Sequence, residues 1–217
     1  MIILSGKHEV ILSQKELVAK VCQFKSVHLD LGTGDGKQVY RYAKNNPDTL
    51  YIGIDAVKAN LVEISSKITK KPMKGGLNNV ILVISAIEEL PTELQNIANS
   101  LTIFLPWGSL LEGLVKPVAS FLKNIVFVAK NSTSFEFVIT YSELFESSEI
   151  QRRQLPDINI NYFNEMYRAT LKELGLIIEN IEVLDNEDIK LFESQWAKRL
   201  AYGRKRDFFR IQGHVKK

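Results

Sequence analysis

The run Leu29-Asp-Leu-Gly-Thr-Gly-Asp-Gly36 sets a carboxylate, Asp30, immediately before a loop of three glycines. A glycine-rich turn between a strand and a helix tolerates positive φ and lets the backbone approach a ligand closely. The dinucleotide fingerprint is G-x-G-x-x-G, but here the third glycine comes one residue early and Lys37 occupies its place. Asp30 would also repel a pyrophosphate, and no G-x-x-x-x-G-K-[ST] run for a nucleoside triphosphate is present. A ligand that carries an ammonium group suits this carboxylate better.

Asp55 follows at the distance where a second-strand carboxylate accepts hydrogen bonds from ribose hydroxyls. Ser85-Ala86-Ile87-Glu88 closes the third strand and would border an adenine. An amino-acid cation, a ribose and an adenine together describe S-adenosylmethionine, with S-adenosylhomocysteine as the product. The fourth strand ends Phe104-Leu105-Pro106-Trp107-Gly108, where methyltransferases of this kind face the reacting atom. Enzymes that methylate exocyclic amino groups usually carry Asn/Asp-Pro-Pro-Tyr/Phe there, and Leu105 and Trp107 depart from that pattern. Trp196 lies in a polar, basic stretch just ahead of the C-terminal tail. Two tryptophans could sandwich a base drawn out of its stack. A ring nitrogen such as adenine N1 brings its own lone pair, so aromatic faces and positioned carbonyls would suffice without a general base.

The elements that must position these residues alternate. A capping box, Ser13-Gln14-Lys15-Glu16, opens a helix to about residue 23. Strands are expected at residues 27–31, 50–54, 80–84, 101–105 and 135–140, with helical patterns at 89–98 and 110–129. Ahead of them, residues 2–4 and 10–12 flank a turn. Beyond residue 140 come a polar linker (141–155), a helix ending near Leu174-Gly175, a strand at 177–183, a second linker (185–202) and a last strand at 208–215. The expectation is an α/β fold: a class I, Rossmann-like methyltransferase domain spanning 1–217, with a seven-stranded, mostly parallel sheet, helices on both faces and an N-terminal β-hairpin (1–12).

Bulk properties narrow the setting. With 217 residues, 45% hydrophobic and 24% charged, this is an ordinary globular composition. It has no signal-peptide pattern and no apolar run long enough to span a bilayer. A single cysteine, Cys22, fits a reducing cytoplasm. His8, His28 and His214 lack metal-ligand spacing, so no metal is expected and no role is assigned to them. Residues 198–217 hold eight basic residues against one acid, Asp207, on an otherwise acidic chain. That asymmetry, with a second cluster at Lys67, Lys70, Lys71 and Lys74 and a third at Arg152-Arg153, points to a polyanionic partner.

Taken together, these segments resemble the Npm/Kam family of aminoglycoside-resistance methyltransferases, which modify N1 of adenosine 1408 in 16S rRNA, and the Npm type more than the Kam type. The resemblance covers essentially the whole chain and rests on residues 27–36, 51–55, 70–77, 104–108, 135–138 and 194–206. The glycine loop is generic, whereas Pro106-Trp107-Gly108 and Trp196-Ala-Lys-Arg199 are specific. The resemblance implies a cofactor pocket lined by Asp30, Gly32, Gly34, Asp55, Ile87, Glu88, Phe104, Leu105, Ser109 and Ser194. It implies that Trp107 and Trp196 stack on the flipped adenine, with Pro106 at its edge. Lys67, Lys70, Lys71, Arg153, Arg199, Arg204 and Arg206 would dock on rRNA of the 30S subunit, and Glu146 would orient a basic residue of the tail. A monomer acting in the cytoplasm, without membrane or metal, is the implied setting. Ala56, where proline is usual, and Ile87, where a smaller residue is usual, depart from the family pattern. The alternatives are a tRNA methyltransferase, which tends to follow its Pro-Trp segment with a basic run absent from Gly108-Ser-Leu-Leu-Glu-Gly-Leu114, and a non-catalytic ribosome-binding protein, which would not need Asp30 and Asp55.

Overall fold

The computed structural model describes residues 1–192 and 194–217; residue 193, inside the expected 185–202 linker, lies outside the described residues. The chain opens with a hairpin, β1 (Ile2–Ser5) and β2 (His8–Ile11), and a capped helix α1 (Gln14–Val21). Then β3 (Ser26–Leu31), α2 (Lys37–Asn45), β4 (Thr49–Asp55), α3 (Lys58–Ile68) and β5 (Val80–Ile84) alternate. They are followed by β6 (Ala98–Phe104), α4 (Gly108–Val115), α5 (Ala119–Val128) and β7 (Ala129–Ile139).

Strands β5, β4, β3, β6 and β7 pair in parallel, and the full sheet runs β2-β1-β5-β4-β3-β6-β7-β9-β8 once β8 (Leu176–Leu184) and β9 (Phe208–Val215) are added. The seven strands expected are present, and the hairpin extends them to nine among the described residues. Ile3 of β1 pairs antiparallel with Val83, so the hairpin is a continuation of the sheet and not a separate flap. Strand order reverses between β3 and β6, and an open crevice follows at the carboxyl ends of such strands.

Two helical expectations fail, both at prolines. Residues 89–98 form only short 3₁₀ turns, Ile87–Glu89 and Thr92–Leu94, because Pro91 lacks an N–H and disfavours the helical region for its neighbour. The 110–129 pattern is two helices, α4 and α5, separated at Pro117. The two linkers are also more ordered than their composition suggests. Residues 141–155 contain α6 (Glu143–Arg153), and a helical segment follows: α7 (Ile160–Tyr162), a π-helical turn (Phe163–Tyr167) and α8 (Arg168–Glu173). Residues 185–202 contain α9 (Asn186–Ile189) and α10 (Gln195–Ala201). Gly175, at φ +85°, closes α8 in the left-handed conformation a helix C-terminus favours.

The main core packs α4, α5 and α8 against the sheet, and a second cluster seats α2 and α3 on β4 and β5 through Val39, Leu61, Ile64 and Leu82. A smaller third cluster joins Leu105 and Val138 to Ala197, Leu200 and Phe208. It is what holds α10 over the crevice.

Where β8 and β9 pair, Gly213 leaves no room for a side chain: a Cβ there would lie 2.0 Å from the Ile177 carbonyl oxygen and 2.7 Å from the Phe135 ring. Gly213→Ala should cost about 3 kcal/mol through this overpacking, read as a lower urea midpoint at unchanged slope. An unchanged midpoint would mean that the sheet edge can shift to absorb the methyl group.

Candidate active site

A cavity of about 830 Å³ opens at the carboxyl ends of β3, β4, β5 and β6. Its floor is the turn after β3. Gly32 and Gly34 adopt φ of +77° and +56°, and a Cβ on Gly32 would sit 2.2 Å from Leu110 Cδ2. Gly32 and Thr33 N–H groups donate to the Ile54 carbonyl (2.8 and 2.9 Å), folding the loop over β4. Asp30 is 5% exposed, accepts from the Thr102 hydroxyl at 2.6 Å, and faces the cavity with no cationic partner among the described residues. Burial pushes its carboxyl above the usual range, the Thr102 hydrogen bond opposes that, and the Asp55 charge adds to it.

Asp55 accepts from Gly34 N–H on Oδ2 (2.8 Å), and from Val57 N–H (2.8 Å) and the Asn60 amide (3.2 Å) on Oδ1. A carboxylate offers about four acceptor positions, so one remains for a ligand hydroxyl. Ile87 and Glu88 form the next wall, where the Ile87 carbonyl is pinned by the Asn124 amide at 2.9 Å. Phe104, Leu105, Pro106 and Ser109 form the opposite wall, and Ser194 and Arg199 close the rim. Leu105 has φ +52° and Gly108 φ +66°, so two left-handed residues bracket Pro106-Trp107 and turn that segment away from the strand. The Leu105 N–H donates to Val138 (2.8 Å), which holds the bend.

Trp107 stands at the N-cap of α4 and Trp196 in the first turn of α10. Their rings meet edge to face, 5.9 Å between centroids at 61°, and are 44% and 37% exposed. Ala197, Leu200 and Ala201 face inward from α10, which leaves Trp196 to the cavity mouth. Ser194 caps this helix, its hydroxyl accepting from Ala197 N–H at 3.0 Å.

The basic residues divide into two groups. Lys67, Lys70, Lys71, Arg199 and Arg204 are exposed, with Lys67 over the Tyr40 ring (4.1 Å) and Arg199 over Trp196 (5.6 Å). Arg204 lies over the Phe145 ring (5.3 Å), whereas Arg153 and Arg206 have acidic partners within the chain. Arg153 bridges Glu149 (2.5 Å) and Glu112 (2.7 Å), tying α6 to α4. Arg206 is 10% exposed, paired with Glu146 at 2.9 Å and stacked over Phe145. Sequence reasoning missed Thr102, Asn60 and Phe192, the last packed edge-on against Phe104 at 4.9 Å. Thr102 left a faint signal, as a hydroxyl inside an apolar strand. Among the described residues no group of His, Cys, Asp and Glu is arranged to hold a metal, and no helix is long and apolar enough to cross a membrane.

The family model for 16S rRNA (adenine(1408)-N(1))-methyltransferase (NpmA) matches residues 2–215. An Escherichia coli protein named 16S rRNA (adenine(1408)-N(1))-methyltransferase is 53% identical over 100% of both chains. The crystal structure of the 16S rRNA methyltransferase KamB is 29% identical, covers 100% of both chains and superposes with a TM-score of 0.92. A mutant of the Catenulisporales acidiphilia 16S rRNA (adenine(1408)-N(1))-methyltransferase, crystallised with cosubstrate SAM, is 28% identical, covers 100% of this chain and 97% of its own, and gives a TM-score of 0.89.

The fold holds the Asp30 proton more tightly than the unfolded chain does. This group's contribution to stability is therefore fully present below the ordinary aspartate range and lost as pH rises through the raised folded value. Asp30→Asn, neutral at every pH, should raise the urea midpoint of the ligand-free protein at about pH 8, with the gain shrinking as pH falls towards 4. A midpoint lowered at both pH values would show that the carboxylate is held by an internal partner.

Proposed function

This chain belongs to the 16S rRNA (adenine(1408)-N(1))-methyltransferase family, and we propose that it transfers a methyl group from S-adenosylmethionine to N1 of adenosine 1408 in the 30S subunit, conferring aminoglycoside resistance. The observation that carries this reading is the cavity with its mouth: a buried carboxylate without a counter-ion among the described residues at one end and two tryptophans at the other. The residues present fit the cofactor. Asp30 offers a negative charge for its ammonium group, Asp55 a remaining acceptor for a ribose hydroxyl, and Ile87 an apolar wall for its adenine. Glu88, Phe104, Ser109 and Ser194 complete the lining, and the volume is within the range of cofactor pockets.

S-adenosylmethionine supplies the electrophilic methyl group. The chain supplies position and electrostatics. Trp107 and Trp196 separate to admit the extruded base and stack on its two faces, where their π-clouds stabilise the positive charge that N1 acquires. Carbonyl oxygens of Leu105 and Pro106, turned by the left-handed bend, accept from the base amino group as it becomes more acidic. Adenine N1 uses its own lone pair, so no side chain has to remove a proton first.

Docking rests on Lys67, Lys70, Lys71, Arg199 and Arg204, scattered as suits recognition of a folded rRNA surface by shape. Arg153 and Arg206 would reach phosphate by giving up or sharing the acidic partners that now hold them, with Glu146 orienting Arg206. We place the protein in the cytoplasm, acting as a monomer on assembled subunits. A methyl group and a charge on N1 would impede the docking of an aminoglycoside ring.

Trp196→Ala should abolish methylation with little change in cofactor affinity. The readout is primer extension on rRNA from 30S particles treated with enzyme and cofactor, where N1-methyladenosine stops the reverse transcriptase beside position 1408. A stop elsewhere, or turnover retained in the variant, would redirect the assignment. Arg204→Gln should weaken 30S binding most at low salt and reduce the slope of log affinity against log salt by about one, leaving cofactor binding unchanged. An unchanged slope would remove Arg204 from the phosphate contacts.

A further inference from the structure

His28 lies one residue pair behind Asp30 on β3, within an apolar strand, and is 8% exposed. Burial pushes its imidazole down to about 4, so it is neutral at physiological pH. Its ring sits against Tyr51 and Tyr42, with centroids 5.1 and 6.4 Å away. The parallel register of β3 on β6 sets His28 opposite Ser100 and Asp30 opposite Thr102. Across that register His28 Nδ1 is 2.8 Å from the Ser100 hydroxyl and Nε2 is 3.1 Å from the Thr102 hydroxyl.

Donor counting fixes the direction of these bonds. The Thr102 hydroxyl has one proton, and it is given to Asp30 Oδ1 at 2.6 Å. At Thr102 the bond from His28 must therefore be donated by the imidazole, which puts the ring proton on Nε2. Nδ1 then has a lone pair and accepts from Ser100. Ser100, His28, Thr102 and Asp30 thus form a single-file chain in which every donor points towards the carboxylate. Aligned dipoles of this kind favour its ionised form, and each bond polarises the next. Without the imidazole donor, the Thr102 hydroxyl would be free to rotate its proton away from Asp30.

We propose that His28 is a positioning residue for the amino-acid end of the cofactor: through its Nε2–H it commits the Thr102 hydroxyl to Asp30 and so presets the carboxylate that receives the ammonium group. This rests on the reading of the cavity as an S-adenosylmethionine site. The role does not involve the adenine or the ribose, which sets it apart from a general contribution to folding.

Calorimetry of the full chain with S-adenosylhomocysteine and with 5′-methylthioadenosine, which lacks the amino-acid moiety, tests it. His28→Leu should weaken S-adenosylhomocysteine about fivefold, the loss of one buried hydrogen bond, and leave 5′-methylthioadenosine unchanged. His28→Gln, whose amide can donate from a similar reach, should recover most of the loss. Thr102→Val should weaken S-adenosylhomocysteine, and His28→Leu added to it should cost nothing further. Equal loss of both ligands, or additive losses in the double variant, would overturn the role. Failure of the unaltered protein to bind S-adenosylhomocysteine would instead overturn the cofactor assignment, and this inference with it. If His28→Leu does not fold, nitrogen NMR of the unaltered protein decides: an Nε2–H imidazole supports the chain, and an Nδ1–H imidazole overturns it.

Discussion

A carboxylate at the end of a buried strand, with no cation of its own among the described residues, constrains the rest of this structure. Ionising Asp30 in that place opposes folding, and the opposition is relieved when a positive ligand arrives. Neighbouring features serve the same spot. Gly32 has no Cβ because Leu110 closes over it, and the loop is drawn across β4 by two hydrogen bonds to Ile54. That in turn brings Gly34 N–H to Asp55 and fixes the second carboxylate. If the two carboxylates receive the cofactor as proposed, neither would have to be reoriented on its arrival.

The opposite end of the cavity is organised on another principle. Trp107 belongs to the bend after β6, which is held by the sheet through Val138. Trp196 belongs to α10, which rests on a small cluster of its own. The rings touch, and a base cannot lie between them at a centroid separation of 5.9 Å. Stacking on both faces of a base would therefore require one ring to move, and the element with the thinner support is α10. Its motion would leave the cofactor floor unchanged, because Asp30, Gly32 and Asp55 belong to β3, β4 and the turn between β3 and α2. Arg153, bridging Glu149 and Glu112, ties the α6 insert to the helix that follows Trp107, so a phosphate that engaged Arg153 would alter the same region of the mouth.

How far this could be read from sequence depends on how local the determinant is. The glycine loop, Asp55 and the strand ends are legible because a positive φ or a charged residue closing an apolar run is a local statement. The helix expected at 89–98 does not form because Pro91 vetoes it despite the hydrophobic spacing. α6 and α10 read as linkers because they are short and carry many charges, and the apolar face of α10 is completed only by distant partners such as Phe208. The engagement of Arg206 by Glu146 and Phe145 was hidden for a related reason: composition counts charges and does not say which are already neutralised. His28 and Thr102 are the plainest case. Each is a polar residue in an apolar strand, and their connection exists only once β3 and β6 are laid side by side in register.

A reaction at an sp² nitrogen with a free lone pair does not need a titrating catalyst, and that changes what the ionisable groups at the cavity are for. On the proposed reading Asp30 and Asp55 would be binding groups for the cofactor, and the reacting end of the site would be two indole rings, a proline and turned carbonyls, all of which line the one cavity. Catalysis by such a surface comes from holding the base and the methyl donor in line and from favouring the charged product-like arrangement. On that reading, substitutions at the carboxylate floor would act on cofactor occupancy, and substitutions at the tryptophans on turnover of an occupied enzyme. The sheet keeps the two apart, since the floor is set by β3 and β4 and the mouth by the segments after β6 and before β9.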